Sequence, residues 1–135
     1  MPLIDRAVET TTELARVFRL ALASPSNRPL IDAALSSAGL DTLLEATVSS
    51  EEVKRGKPAP DVFLEAARRL GVESGQCAAI EDSGKGIRAA HAAGMRVIAI
   101  PNRRYPPPAE SLALADAVLD SLAHLTLAVV AGGAG

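Results

Sequence analysis

The sequence predicts an α/β fold: a parallel sheet with helices on both faces. Three observations carry the prediction. Arg19–Ala23, Ala78–Glu81 and Arg96–Ile100 are short apolar runs without strict polar alternation, as expected of strands buried on both sides. Between them lie longer stretches whose apolar residues recur at helical spacing. Glycines and prolines punctuate the boundaries. Strands alternating with amphipathic helices build a parallel sheet through βαβ connections.

Each element has its own justification. Met1–Ile4 is a short lead-in, and Asp5 suits a helix N-cap ahead of Val8, Leu14, Ala15 and Phe18. Arg19–Ala23 follows as a strand, and Ser24-Pro25-Ser26-Asn27-Arg28 as a turn. Pro29 fits the first turn of the next helix, whose face is Leu30, Ile31, Ala34, Leu35 and Ala38, with Gly39 as the residue beyond its end. Leu40–Pro58 is looser, with a short strand at Ala46–Val48. Pro60–Leu70 reads as a helix with Val62, Phe63, Ala66, Ala67 and Leu70 inward, ended by Gly71. After the Ala78–Glu81 strand, Ser83 caps a helix carrying Ile87, Ala90 and Ala93 that Gly94 stops. Arg96–Ile100 is the next strand. Residues 101–108 hold four of the nine prolines and form a loop. A short helix at Glu110–Ala115, a strand at Ala117–Leu119 and a brief last helix complete the pattern. The expectation is one domain over 1–135, ordered over 1–130, with 131–135 a frayed tail.

Composition narrows the function classes. The chain has 135 residues, 48% hydrophobic and 22% charged, a globular balance. A net charge of −2 leaves no basic footprint for nucleic acid, and the aromatics, Phe18, Phe63 and Tyr105, are too few for base-stacking platforms. No apolar run approaches the ~18 residues of a membrane span. The N-terminus lacks the basic-then-apolar pattern of a signal peptide. One cysteine, Cys77, excludes an internal disulfide and fits a reducing, cytoplasmic compartment.

In an open parallel sheet, ligands bind beyond the carboxyl ends of the strands. Those ends here carry Ser24, then Glu81 and Asp82, then Pro101 and Asn102, and the loop before Pro60 carries Lys57. Adjacent carboxylates can hold Mg²⁺, which prefers oxygen ligands and keeps several waters. A serine hydroxyl beside a helix N-terminus can hold a phosphate, and a lysine can neutralise a transferring phosphoryl group. Structural readings stand beside these. Ser24 and Ser83 also read as caps or turn residues, Glu81-Asp82 as acids favouring a helix N-terminus, and Lys57 as a solvated loop residue. His91 and His124 lack ligand spacing, Cys77 reads as a small core residue, and Arg103-Arg104-Tyr105 as a solvated loop. Ser83-Gly84-Lys85-Gly86 is no P-loop, because position 86 is glycine and position 80 is isoleucine.

Gly56-Lys57-Pro58-Ala59-Pro60-Asp61, Ile80-Glu81-Asp82-Ser83 and Gly86-Ile87 through Ala93-Gly94-Met95 together resemble the haloacid dehalogenase (HAD) superfamily. The likeness is to the branch containing phosphoglycolate phosphatase and beta-phosphoglucomutase. Leu22-Ala23-Ser24-Pro25-Ser26-Asn27 is similar to the second motif of that family, and the likeness runs from about Pro2 to Leu125. It implies a Rossmann-like core and Mg²⁺-dependent hydrolysis, through an aspartyl-phosphate, of a small phosphorylated metabolite; a phosphomutase would reuse the same core. It further implies that Ser24 holds phosphoryl oxygens, Lys57 neutralises the phosphoryl group and nucleophile, Asp82 binds Mg²⁺ with Glu81 as ligand or partner to its waters, and Asn27 faces the substrate.

The chain departs from that pattern at one point. The family's nucleophile lies in an Asp-x-Asp motif, and this sequence contains none; Asp5-Arg6-Ala7 fails at the second acid. By resemblance the chain reads as a C-terminal core that begins after the cap domain and lacks the central first strand, inactive by itself. That strand belongs between the Ser24 strand and the Asp82 strand. Either those two strands close on each other, bringing Ser24 and Asp82 closer than a normal site requires, or a partner chain fills the gap, or the fold is marginal. A non-catalytic phosphate- and Mg²⁺-binding or interaction module is the competing reading.

Overall fold

The computed structural model describes residues 7–24 and 26–132. The expected Asp5 cap, the lead-in, Pro25 and the last three residues lie outside them. Among the described residues six helices and five strands alternate: α1 Ala7–Ala15, β1 Ala21–Ser24, α2 Arg28–Ala38, β2 Ala46–Ser49, α3 Asp61–Leu70, β3 Ala78–Glu81, α4 Gly84–Ala92, β4 Arg96–Ala99, α5 Ala109–Leu112, β5 Ala117–Val118 and α6 Leu127–Ala131. Single 3₁₀ turns at Ser50–Glu52, Ser74–Gln76 and Leu122–His124 were not legible as regular elements. Among the described residues no helix is long and apolar enough to cross a membrane.

Local chemistry explains the boundaries. Asn27 caps α2 by accepting from the Leu30 amide at 3.0 Å, with Pro29 in the first turn. Gly39 closes α2 and Gly71 closes α3 with φ of 71° and 72°, the left-handed conformation in which a side chain is strained. α1 ends at Ala15, three residues short of the expected Phe18, in a turn where the amide of Phe18 bonds Leu14 O. β1 lies later than the apolar run suggested: Ser24 is its last residue, in register with Ser49, and Arg19 precedes it, paired to Glu45 at 2.9 Å.

All strand pairs are parallel, as expected, but the described strands form two sheets. β1 pairs with β2, and β3, β4 and β5 pair in that order. The alternation of β4 shows the layers. Val97 and Ala99 join a core with Phe63 and Ala66 of α3 and Ile87 and Ala90 of α4, whereas Ile98 faces Leu14 of α1 and Leu125. Successive side chains of a strand point to opposite faces, so α3 and α4 cover one face and α1 and the C-terminal segment the other. β1 and β3 do not close on each other. A cavity of about 400 Å³ lies between them, lined by residues of both strands and by α1 and α3.

Candidate active site

Lys57 brings the two sheets together chemically. Its loop leaves β2 through a 3₁₀ turn whose N-cap, Ser49, forms a reciprocal capping box with Glu52. The far end of the loop is tied to α3 where Asp61 accepts from the Arg55 amide at 3.3 Å. The Lys57–Pro58 peptide is cis. From this loop the Lys57 ammonium donates to Ala23 O of β1 at 3.4 Å and to Glu81 Oε1 of β3 at 2.5 Å. It stands 5.0 Å from the centre of the Phe63 ring, a cation–π distance. Both side chains of the ion pair are largely buried, at 12% and 10% exposure, so the charges are weakly screened. Because Lys57 touches the penultimate residue of β1 and the last residue of β3 together, the carboxyl ends of both strands lie on one side of the molecule.

Glu81 is held from behind by a glycine. A Cβ built on Gly86 would lie 2.0 Å from Glu81 Oε2, closer than any real contact, so the carboxylate lies against the backbone of the first turn of α4. Ser83 caps that turn, accepting from the Gly86 amide at 3.0 Å. The dipole of α4 and its free amides favour a negative charge at this position. Asp82, between Glu81 and the cap, is exposed, and its carbonyl accepts from the Asn102 amide at 3.2 Å, tying the ends of β3 and β4 together.

The strand-end candidates therefore gather as follows. Ser24 ends β1 beside the Ala23 carbonyl that Lys57 contacts, and its Oγ accepts from the Ser26 amide at 3.1 Å, shaping the turn while leaving its own proton to donate. Asn27 takes the structural role of α2 cap. Glu81 is bound to Lys57. Asp82 is the carboxylate left open to solvent. His91, His124 and Arg103-Arg104-Tyr105 are exposed, and Cys77 is half-buried, its thiol pushed up by burial.

Two residues were not foreseen. Gly86 makes room for Glu81, and its signal was visible as a glycine inside a helical pattern, which asks for a packing reason. Ser49, fully buried, donates to Ser26 O at 2.7 Å and holds the turn after β1 from below. Its S-x-x-E spacing to Glu52 was the legible cue for the cap.

A metal would find few donors. Among the described residues no group of three His, Cys, Asp or Glu side chains could form a protein cage. Mg²⁺ is commonly held by one or two carboxylates plus water and phosphate oxygens, and the exposed Asp82 offers one carboxylate for that sparser kind of site, next in sequence to a Glu81 already paired to Lys57.

Carboxyl strand ends carrying a lysine, a serine and paired acids define a class of site suited to phosphoryl groups. Comparison with known proteins gives the family. Residues 1–94 match the model of haloacid dehalogenase-like hydrolases, and the chain belongs to that family. It is 36% identical over 129 residues to hexitol phosphatase B of Escherichia coli, covering 93% of this chain and 55% of that protein. It is 42% identical over 109 residues to a bifunctional riboflavin kinase/FMN phosphatase of Arabidopsis thaliana, covering 80% of this chain and 28% of that one. Among solved structures, CbbY from Rhodobacter sphaeroides in complex with phosphate superposes with a TM-score of 0.83 at 32% identity, over 93% of this chain and 57% of that one. The chain thus spans little more than half of the length of these two bacterial relatives, and less of the plant one.

Proposed function

We propose that this chain is the phosphate- and Mg²⁺-binding core of a HAD-type phosphatase acting on a small phosphorylated metabolite in the cytoplasm. The observation that carries the reading is Lys57, whose buried ammonium reaches the ends of β1 and β3 at once. An ammonium so placed attracts a phosphoryl group to the edge where Ser24 and Asp82 stand. The relatives named as phosphatases support the substrate class.

Each residue has a role in this reading. The Ser24 hydroxyl donates to a phosphoryl oxygen. Lys57 offsets the phosphoryl charge, held in place by Glu81, which Gly86 in turn admits. Asp82 and Glu81 would hold Mg²⁺, which when bound supplies further charge neutralisation. Asn27 orders the start of α2 beside the site. No Asp-x-Asp nucleophile occurs in the sequence, so the chain by itself binds phosphate and turns nothing over.

Calorimetric titration with inorganic phosphate in Mg²⁺ buffer tests this. Binding by the unaltered protein, abolished in Lys57→Ala and at least ~tenfold weaker in Asp82→Asn, is expected from losing a charge-assisted contact. Equal binding by all three proteins would overturn it. The absent nucleophile specifically favours one second reading, a non-catalytic module that binds phosphate as a signal. The two diverge when an upstream Asp-x-Asp segment is joined to the chain, since only the enzyme core then gains phosphatase activity.

A further inference from the structure

We propose that Arg103 and Arg104, on the loop after β4, form a subsite for a second anionic group, a carboxylate or a second phosphate, on the phosphorylated metabolite. The inference rests on the phosphatase reading and adds a substrate class to it.

Residues 101–108 leave the carboxyl end of β4, which runs parallel to β3. They therefore stand on the edge that carries Lys57, Ser24 and Asp82. The loop is fastened at both ends to the segment that follows β3. At its start the Asn102 amide donates to Asp82 O at 3.2 Å. At its end Pro108 rests on Gly84, where an added Cβ would come within 3.1 Å of Pro108 Cδ and 3.2 Å of Ser111 Oγ. Between these anchors the loop arches beside the open carboxylate of Asp82. Two residues of chain span at most ~7 Å, so the Arg103 and Arg104 backbone stays close to that carboxylate.

The loop is ordered by its own chemistry. Pro101, Pro106, Pro107 and Pro108 fix their φ angles, and Pro107 is buried. Asn102 Oδ1 accepts from the Arg104 amide at 2.9 Å and from the Tyr105 amide at 3.0 Å, a side-chain turn that sets the backbone of both residues. The Arg104 guanidinium stands 5.6 Å from the centre of the Tyr105 ring. A ring against the face of a guanidinium leaves its in-plane N–H groups free to make a bidentate contact. A loop held this way loses less freedom when it takes up a ligand than a slack one would.

The charges on the loop lack partners. Arg19, Arg28, Arg55, Arg68 and Arg69 are each paired to a carboxylate. Among the described residues Arg103 and Arg104 are ion-paired to none, and neither is the exposed Lys85 next to Gly84. This occurs in a chain whose acids, 16, outnumber its 14 lysines and arginines. Adjacent like charges repel, and an anion received between them relieves the repulsion. Carboxylate and phosphate share the paired oxygens that a guanidinium fork recognises, whereas a neutral hydroxyl group gains nothing from two cations. A metabolite with its phosphoryl group beside Lys57 and Ser24 would reach past Asp82 to present its second anion to this loop.

Calorimetric titration of the full chain in Mg²⁺ buffer at fixed ionic strength tests the subsite with three probes of matched carbon chain: propyl phosphate, 3-phosphooxypropanoate and propane-1,3-diyl bisphosphate. At least one doubly anionic probe should bind ~tenfold or more tighter than propyl phosphate, the gain of a charge-assisted contact, and the larger gain tells carboxylate from phosphate. The double variant Arg103→Gln/Arg104→Gln should lose that gain while binding propyl phosphate unchanged. The variant Arg103→Lys/Arg104→Lys, which keeps the charge without the planar fork, should recover only part of it. No gain in the unaltered chain, a gain that survives the glutamines, or a full gain with the lysines would each overturn the proposal. If propyl phosphate itself fails to bind, the phosphatase reading falls and the subsite with it. If propyl phosphate binds through Lys57 and the doubly anionic probes bind no tighter, the subsite alone falls.

Discussion

In the β3–β4–β5 half, Val97, Ile98 and Ile87 have no exposed surface, and Ala89, Ala90 and Ala99 fill the spaces between them. In the β1–β2 half, all four residues of β1 are only partly buried, and a polar network does much of the joining. Arg28 reaches both the Thr47 side chain and, at 2.9 Å, its carbonyl, and also pairs with Glu52. Arg69 of α3 donates to the same carbonyl at 2.6 Å and is itself held by Glu65 at 2.8 Å. Apolar burial contributes in proportion to area, whereas partly exposed ion pairs contribute little each and weaken with salt. One half is therefore apolar throughout, and the other joins that same core through Val48, Ala21 and Ala23 and adds a polar network at its edge. The candidate site lies on the seam between them, where the Lys57–Glu81 pair is a principal polar contact.

That contrast can be broken from the strong side first. Ile98→Ala should cost ~2–5 kcal/mol, the usual range for emptying a closed core site. Urea unfolding measures the loss. Hydrogen exchange should rise at β4 while the amides of β1 and β2, which open locally at lower free energy, change little. An equal rise in both halves would show one cooperative unit instead.

At the seam, Gly86→Ala should cost ~1–3 kcal/mol, since its Cβ collides with a carboxylate that has little room to retreat. Glu81→Ala in the same chain should relieve the clash, so that the double variant is destabilised by less than the sum of the single ones. Additive losses would mean that Gly86 serves the α4 backbone and not the placement of Glu81.

On the weaker side, Asn27→Ala should cost ~1 kcal/mol through loss of the α2 cap, with exchange accelerated at Leu30 and Ile31 and unchanged at Val97. The smallest effect is acidic. Arg68 and Arg69 hold the Glu65 carboxyl at about 2, against an ordinary value of 4.5. With the folded value depressed, the contribution is fully present above pH 4.5 and is lost as the pH falls toward 2. Acid titration followed by exchange at Thr47 should show this fading, less steeply at high salt, and Arg69→Gln should flatten it.

The fold class, the order of the helices and strands and the composition of the strand ends were all legible in the sequence. Continuous apolar runs indicate strands covered on both faces, and Ser83, Gly39 and Gly71 mark boundaries by conformational preference that acts within a few residues. Lys57, Ser24, Glu81 and Asp82 could be named because the carboxyl edge of a parallel sheet collects its ligand-binding groups. Legibility failed where the deciding contact was remote. Asn27 carried a turn and a substrate-facing reading, and only the Leu30 amide revealed the cap. Glu81 read as a metal ligand or a partner to the ion's waters, and its pairing with the Lys57 ammonium, 24 positions earlier, was not legible.

By itself, then, the sequence determined which segments become strands and helices and which polar side chains the loops present. Those outcomes depend on neighbours one to four residues away and on periodic burial. The tertiary structure alone decided that β1 and β3 remain apart, that Lys57 spans their ends, and that Glu81 rests on the bare Cα of Gly86. Backbone pairing and close packing are settled between residues distant in the chain, where each edge bonds whatever the completed fold brings beside it.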